Sequence, residues 1–298
     1  MKKRKICAVV ATYNRKQHVQ KCIKNILNQK DCECDIIVVD NGSEDGTDKI
    51  FATEIELDNL YYFNTGKNLG SAGAQAIGIK EAVQRGYEYI WLMDDDVFPN
   101  EDALFELVKA DKELKGNWGI LSSVAYWTDG KICEANRQKK TLFKFMSKND
   151  YNKRFVKAYM VSAASMYIKA DAVKKVGLPI AEYFFYTDDY EFSSRIAKMF
   201  PVYVVPASKV THAMRVNMKA DLAKDTLDRL YRYEHLYRND VHCYRHLGVF
   251  GYIYLLVKFL YTFFKILVGK TLNKKIKCNV LIKGYLDGIK FNPNIEFP

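Results

Sequence analysis

The chain has 298 residues, 49% of them hydrophobic, and a formal charge of +11 at neutral pH. That length and apolar content can bury a full core, which excludes a disordered chain and allows one domain of ordinary size plus something smaller. The charge is uneven: residues 201–298 hold 16 Lys and Arg against 7 Asp and Glu, a basic tail suited to anionic lipid or to nucleic acid.

At the N-terminus, Met1 to Lys5 is basic, but the apolar run Ile6–Ala11 is too short for a signal-peptide core and continues into Thr12, Tyr13 and Asn14. The seven cysteines form no CxxC pair and are odd in number, so they read as reduced thiols of a cytoplasmic protein. Ile6–Ala11 and Ile36–Val39 are continuous β-branched runs, as expected of strands buried on both faces. Between them Val19, Cys22, Ile23, Ile26 and Leu27 have helical spacing within 15–29, which makes a βαβ unit. The alternation continues with a helix from about Gly46, a strand Leu60–Phe63, a helix from about Gly70 to Arg85 and a strand Tyr89–Met93. This order predicts an α/β fold with a mostly parallel sheet flanked by helices. Ligands of such sheets sit at the carboxyl ends of the strands, here the polar tips at 12–15, 40–43, 65–73 and 94–96. No GxGxxG follows the first strand, which counts against a dinucleotide enzyme.

Two acidic constellations carry the chemistry. Asp94, Asp95 and Asp96 directly follow the apolar strand, where their mutual repulsion needs an offset. A hard divalent ion, Mn²⁺ or Mg²⁺, bridging to a diphosphate supplies it. One of the three is also placed to cap a helix beginning at Pro99 and Glu101. Further on, Phe184 to Glu191 sets Asp188, Asp189 and Glu191 behind an aromatic run and ahead of a helix over 192–199. Adjacent carboxylates beside an aromatic wall suit a general base, and Thr187 or Asp188 with Glu191 also resembles a capping box. His212, six residues after Pro206, is by itself an ordinary packed or surface histidine.

Taken in order, Val9-Val-Ala-Thr-Tyr-Asn-Arg15, Val38-Val-Asp-Asn-Gly-Ser43, Asn68-Leu-Gly-Ser-Ala-Gly73, Trp91-Leu-Met-Asp-Asp-Asp96 and Thr187-Asp-Asp-Tyr-Glu191 resemble the family 2 glycosyltransferases over residues 5–215, and within them the bacterial galactofuranosyl and rhamnosyl transferases. The resemblance implies a GT-A fold over 1–215, with a nucleotide-sugar half to about 97 and an acceptor half after it. It implies nucleotide-sugar contacts from Thr12, Asn14, Arg15, Asp40, Asn68, Gly70, Asp94 and Asp95, and a metal held by Asp96, Asp94 and His212. Asp189 matches the catalytic base, and Asp188 and Glu191 match acceptor-orienting positions. The chemistry implied is inversion at the anomeric carbon with no covalent enzyme intermediate. Thr187 departs from the family, where an aromatic or a carboxylate is frequent, and its small hydroxyl suggests a wider acceptor pocket. UDP-galactofuranose is the first expected donor and dTDP-rhamnose the second, with a lipid-linked or oligosaccharide cell-surface glycan as acceptor.

The region 216–298 is expected to be helical, basic and aromatic. Its 22 residues Leu247 to Val268 are apolar or glycine except for Lys258, Thr262 and Lys265. They are long enough to span a bilayer, but a central charge costs roughly 2.5–3.5 kcal/mol on insertion scales. An interfacial helix keeps both lysines at an anionic membrane surface and buries Phe259, Leu260, Phe263 and Phe264. This predicts a peripheral enzyme at the cytoplasmic face of the membrane. No nucleic-acid module accompanies the aromatic, basic tail, so nucleic acid is not expected as a partner; a homo-oligomer is left open. Two rival functions remain: a nucleotidyltransferase, disfavoured because Thr12–Arg15 replaces a Gly-rich, Lys-containing loop, and an inactive membrane-bound glycan-binding or scaffold protein.

Overall fold

The computed structural model describes residues 5–51 and 58–298, so the basic residues 1–4 and the continuation of the helix expected from Gly46 beyond Phe51 lie outside the described residues. The chain forms two compact units, one of Met1–Ala181, Asp189–Asn217 and Ile295–Pro298, the other of Glu182–Asp188 and Met218–Asn294. A single boundary at residue 215 would place Glu182–Asp188 in the other unit.

The first unit begins with β1 (Ile6–Thr12), α1 (Lys16–Leu27), β2 (Asp35–Asp40), the single turn α2 (Thr47–Lys49), β3 (Leu60–Asn64), α3 (Gly70–Gln84) and β4 (Tyr89–Asp94). It continues with β5 (Val97–Pro99), α4 (Ala103–Glu113), β6 (Ile120–Tyr126), β7 (Val156–Ala158), β8 (Met166–Lys169), α5 (Ala170–Val176), α6 (Asp188–Ala197) and β9 (Val202–His212). The sheet order is β3-β2-β1-β4-β8-β6-β9-β5, with β7 also on β9. The βαβ half is parallel as expected, but β8 runs antiparallel to both β4 and β6, and β5 and β7 run antiparallel to β9, so the sheet is mixed. The reason lies between β6 and β8, where the chain makes 3-10 turns at Glu134–Asn136 and Lys148–Asn152 instead of the crossover helix a parallel neighbour requires.

Both sheet faces are covered, which is why the strands read as unbroken apolar runs. Val9, Ile37 and Val39 point to one side with Ala74, Ile79 and Ala82 of α3, while Val10, Ile36 and Val38 point to the other with Val19, Cys22 and Ile23 of α1. Gly78 permits the close approach of α3: a Cβ there would sit 2.3 Å from Val9 Cγ1. The capping expected of the triple aspartate does not occur, because β5 intervenes before α4. The α4 amide of Leu104 donates instead to Gln29 Oε1 at 2.8 Å.

The second unit packs α7 (Tyr231–Arg245), α8 (Val249–Val268) and α9 (Lys274–Lys290) around Tyr233, Tyr237, Ile266 and Leu281. Gly284 and Gly288 let α9 close on α7, since Cβ atoms there would lie 2.8 Å from Tyr237 Cβ and 2.6 Å from Val241 Cβ. The disposition of α8 corrects the expectation for its lysines. Lys258 Nζ pairs with Asp240 at 2.5 Å and Lys265 Nζ with Asp221 at 2.8 Å, and Phe259 and Phe263 pack against the unit's own core. Isolated charges would strip that face of its apolar continuity, and the two buried-side aspartates remove them from it. Every exposed position of α8 is consequently apolar or aromatic, among them Phe250, Ile253, Leu256, Val257, Leu260 and Phe264.

Candidate active site

Parallel register brings the carboxyl ends of three strands level, with Thr12 opposite Asp40 and Ala11 opposite Asp94. The chain then turns through Asp95 and Asp96 into β5, whose antiparallel pairing sets Val97 opposite His212 at the end of β9. The Ala213 amide closes the junction on the Asp96 carbonyl at 2.9 Å. That pairing, between residues more than a hundred positions apart in sequence, delivers an imidazole to the triple aspartate.

The carboxylates are individually partnered. Asp94 accepts from Gln75 Nε2 at 3.2 Å, and Asp95 accepts from Thr12 Oγ1 at 2.7 Å and from Arg15 at 3.2 Å. Asp96 accepts from Arg15 and from His212 Nε2, the latter at 3.0 Å. Burial, reinforced by Asp96, pushes Asp94 up to about 7, and burial raises Asp95 to about 6 against the pull of Arg15. Asp96 is also desolvated, yet its bonds to His212 and Arg15 hold it well below the usual carboxylate range. His212 loses basicity to burial but gains more from Asp96, and ends at about 10.

One ligand atom from each of Asp94, Asp96 and His212 lies within 4.8 Å of the other two. Two carboxylate oxygens and one imidazole nitrogen are a donor set that would hold a divalent ion, with Mn²⁺ accepting all three and Mg²⁺ suited to the two carboxylates. His212 Nδ1 lies 2.7 Å from Asn136 Oδ1, a carboxamide oxygen that only accepts, so Nδ1 donates to Asn136 while Nε2 donates to Asp96, and Nε2 is the nitrogen that would give up its proton to serve as a metal ligand. Asn136 was not legible as a site residue; only the fold brings it to His212. The same holds for Gln75 and for Tyr62, whose hydroxyl donates to Asp40 at 2.6 Å.

Among the other sequence-derived residues, buried Asp40 also accepts from the Ser43 hydroxyl at 2.6 Å. Exposed Asn14 accepts from the Glu44 amide at 2.8 Å, and Asn68 accepts from the Gly70 amide at 2.8 Å at the start of α3. Asp189, half-buried in the first turn of α6, accepts from the Tyr190 amide at 2.7 Å and the Ala163 amide at 3.3 Å. Burial raises it to about 6 despite those donors. Glu191 does not join it: Arg195 grips both Glu191 oxygens at 2.8 and 2.9 Å and ties them to the carbonyls of Val176 and Leu178. Thr187 is buried with its hydroxyl donated to Asp240 at 3.0 Å, so it does not open a pocket as its size suggested. Asp188 is buried as well.

Comparison with known proteins bears on this arrangement at three levels. Residues 7–177, more than half of the chain, match the sequence profile of glycosyl transferase family 2. The poly-beta-1,6-N-acetyl-D-glucosamine synthase of Staphylococcus aureus (strain COL) is 27% identical over 104 residues, covering 35% of this chain and 24% of that protein. The galactofuranosyltransferase GlfT1 of Mycolicibacterium smegmatis is 31% identical over 94 residues, covering 32% of this chain and 30% of that protein. The chain thus spans about a quarter to a third of the curated relatives it matches. In structure, the mannosyltransferase PcManGT from Pyrobaculum calidifontis in complex with GDP-Man and Mn²⁺ superposes with a TM-score of 0.58 at 17% identity, over 97% of this chain and 76% of that one. At that identity the likeness establishes the fold, a GT-A α/β fold with a mixed sheet. With the profile match over the strands that carry Thr12, Asp40 and the triple aspartate, the chain belongs to glycosyl transferase family 2.

Proposed function

We propose that this chain is an inverting, metal-using glycosyltransferase that moves a sugar from a nucleotide-sugar donor to a cell-surface glycan acceptor. The observation that carries the reading is the convergence of Asp94, Asp96 and His212 at the carboxyl edge of the sheet, in a unit that also holds a half-buried Asp189 raised to about 6. Asp94, Asp96 and His212 would hold a divalent ion, which would supply positive charge to the departing diphosphate. Asp189, ionised above pH 6, takes the proton of the acceptor hydroxyl. The hydroxyl oxygen attacks the anomeric carbon from the face opposite the nucleotide, and the carbon–oxygen bond to the diphosphate breaks with its electron pair, which inverts the configuration. Thr12 and Arg15 orient Asp95 and Asp96, with Asp40 on the nucleoside side.

UDP-galactofuranose is the donor we favour, dTDP-rhamnose the second; the paired Asp188 and Asp189, His212 and the galactofuranosyltransferase relative support this order. A lipid-linked acceptor is supported by α8, the one helix among the described residues long and apolar enough to cross a membrane. Its uncharged exposed face, in a C-terminal region rich in lysine, fits an anionic bilayer surface on which α8 lies at the interface. The experiment is nucleotide release from UDP-, dTDP- and GDP-sugars with membrane lipid as acceptor, with and without Mn²⁺ or Mg²⁺, for wild type and Asp189→Asn. Turnover of one donor only with metal, lost in the variant, is the expected result. Metal-independent turnover, or an active variant, removes the mechanism; nucleotide binding without any turnover favours the scaffold alternative.

A further inference from the structure

Asn136 ends the 3-10 turn Glu134–Asn136, which is pinned to β6 where the Cys133 amide donates to the Ala125 carbonyl at 2.9 Å. Its carboxamide oxygen has both acceptor positions filled, by His212 Nδ1 at 2.7 Å and by Sγ of the fully buried Cys133 at 2.9 Å. The carboxamide nitrogen is thereby left to Ser162, to whose Oγ it donates at 2.6 Å. Buried Ser162 is filled in the same way. Its oxygen also accepts the Ala164 amide at 3.3 Å, so its single proton is free to be donated, and it goes to Asp189. The neighbouring Ala163 amide donates to Asp189 as well, at 3.3 Å, and the Val161 amide donates to Ser193 Oγ of α6 at 3.0 Å, which fastens this segment to the helix that carries the base. Two uncharged side chains thus connect His212 to Asp189, and every hydrogen bond between them can run only one way, from imidazole toward carboxylate. All four residues belong to the sheet unit.

We propose that Asn136 and Ser162 are positioning residues that tie the metal site to the base: the Asn136 carboxamide holds His212 with Nε2 on the Asp96 side and presents the Ser162 hydroxyl to the Asp189 carboxylate. The inference rests on the reading of His212 as a metal ligand and of Asp189 as the base. A hydroxyl donated to a carboxylate favours its ionised form, so Ser162 opposes the burial that raises Asp189. Lys139, whose ammonium lies 5.0 Å from the Tyr190 ring centre, opposes it too, whereas the charge of Glu191 is taken up by Arg195.

The test measures Mn²⁺ affinity by calorimetry, the pH profile of kcat and the thermal midpoint for wild type, Asn136→Ala, Asn136→Asp, Ser162→Ala and Asp189→Asn. Asn136→Ala frees the imidazole and is expected to weaken Mn²⁺ binding roughly 10- to 100-fold. Ser162→Ala removes only the donor to Asp189, so the acidic limb of kcat should move up by about one pH unit with Mn²⁺ affinity unchanged. Asn136→Asp separates the two tasks: its carboxylate still accepts from His212 Nδ1 and keeps Mn²⁺ affinity, but it draws the Ser162 proton to itself and moves the limb upward as Ser162→Ala does. A merely structural role would lower the thermal midpoint and move neither readout. Wild-type Mn²⁺ affinity in Asn136→Ala, or an unmoved limb in Ser162→Ala, overturns the proposal. An Asp189→Asn variant active within a few-fold of wild type, or a wild type that binds no Mn²⁺, removes instead the base or metal assignment on which it rests.

Discussion

Substituting Lys258 by Met tests which face of α8 the protein turns inward. Asp240 is 2% exposed, and the Lys258 side chain, 28% exposed, is paired with it. Removing one partner of a buried pair leaves an uncompensated charge at a cost of about 3–5 kcal/mol. Partial access of water at Lys258 and the remaining Thr187 hydroxyl on Asp240 reduce this to roughly 2–3 kcal/mol. Asn at 240 removes the orphaned charge, so Lys258→Met combined with Asp240→Asn is expected within about 1 kcal/mol of wild type. All three tryptophans, Trp91, Trp118 and Trp127, lie in the first unit, so urea unfolding of the helical unit is followed by far-UV circular dichroism, with tryptophan fluorescence as an internal control. If Lys258→Met is as stable as wild type, the lysine does not neutralise Asp240, and the charged face of α8 turns outward as the sequence alone suggested.

Three further expectations follow from the same structure. Activity should fall about tenfold per pH unit below pH 6 as Asp189 takes up a proton. Because its folded pKa is raised above the unfolded one, ionised Asp189 costs stability at neutral pH, so Asp189→Asn should raise the thermal midpoint above pH 6 and lose that advantage below about pH 4; an equal midpoint at pH 7.5 contradicts the burial argument. His212→Gln should weaken Mn²⁺ binding, measured calorimetrically, by roughly 10- to 100-fold, in line with losing a ligand or its support; unchanged affinity would leave Asp94 and Asp96 as the whole site. Replacing exposed Leu256 and Phe264 together by Glu should abolish co-sedimentation with anionic vesicles while circular dichroism stays constant, and retained binding would place the lipid contact elsewhere.

The parallel half of the fold and its polar strand tips were legible because each signal is local. A doubly covered strand must be apolar at every position, as Ile6–Ala11 and Ile36–Val39 are, and an amphipathic helix shows its period within 15 residues. The triple aspartate was legible for the same reason, since three adjacent carboxylates after a buried strand need a countercharge wherever the chain goes next. The antiparallel β8 was not, because direction depends on how the 127–165 segment returns and its turns carry no period. Residue order joined His212 to Asp96 only through the family resemblance, while the orienting Asn136, the diversion of Glu191 to Arg195 and the inward turn of Lys258 and Lys265 were decided only in three dimensions. Each depends on a charge meeting its partner, and the Coulomb and desolvation energies that settle such a pairing are functions of distance and burial, neither of which is a property of residue order.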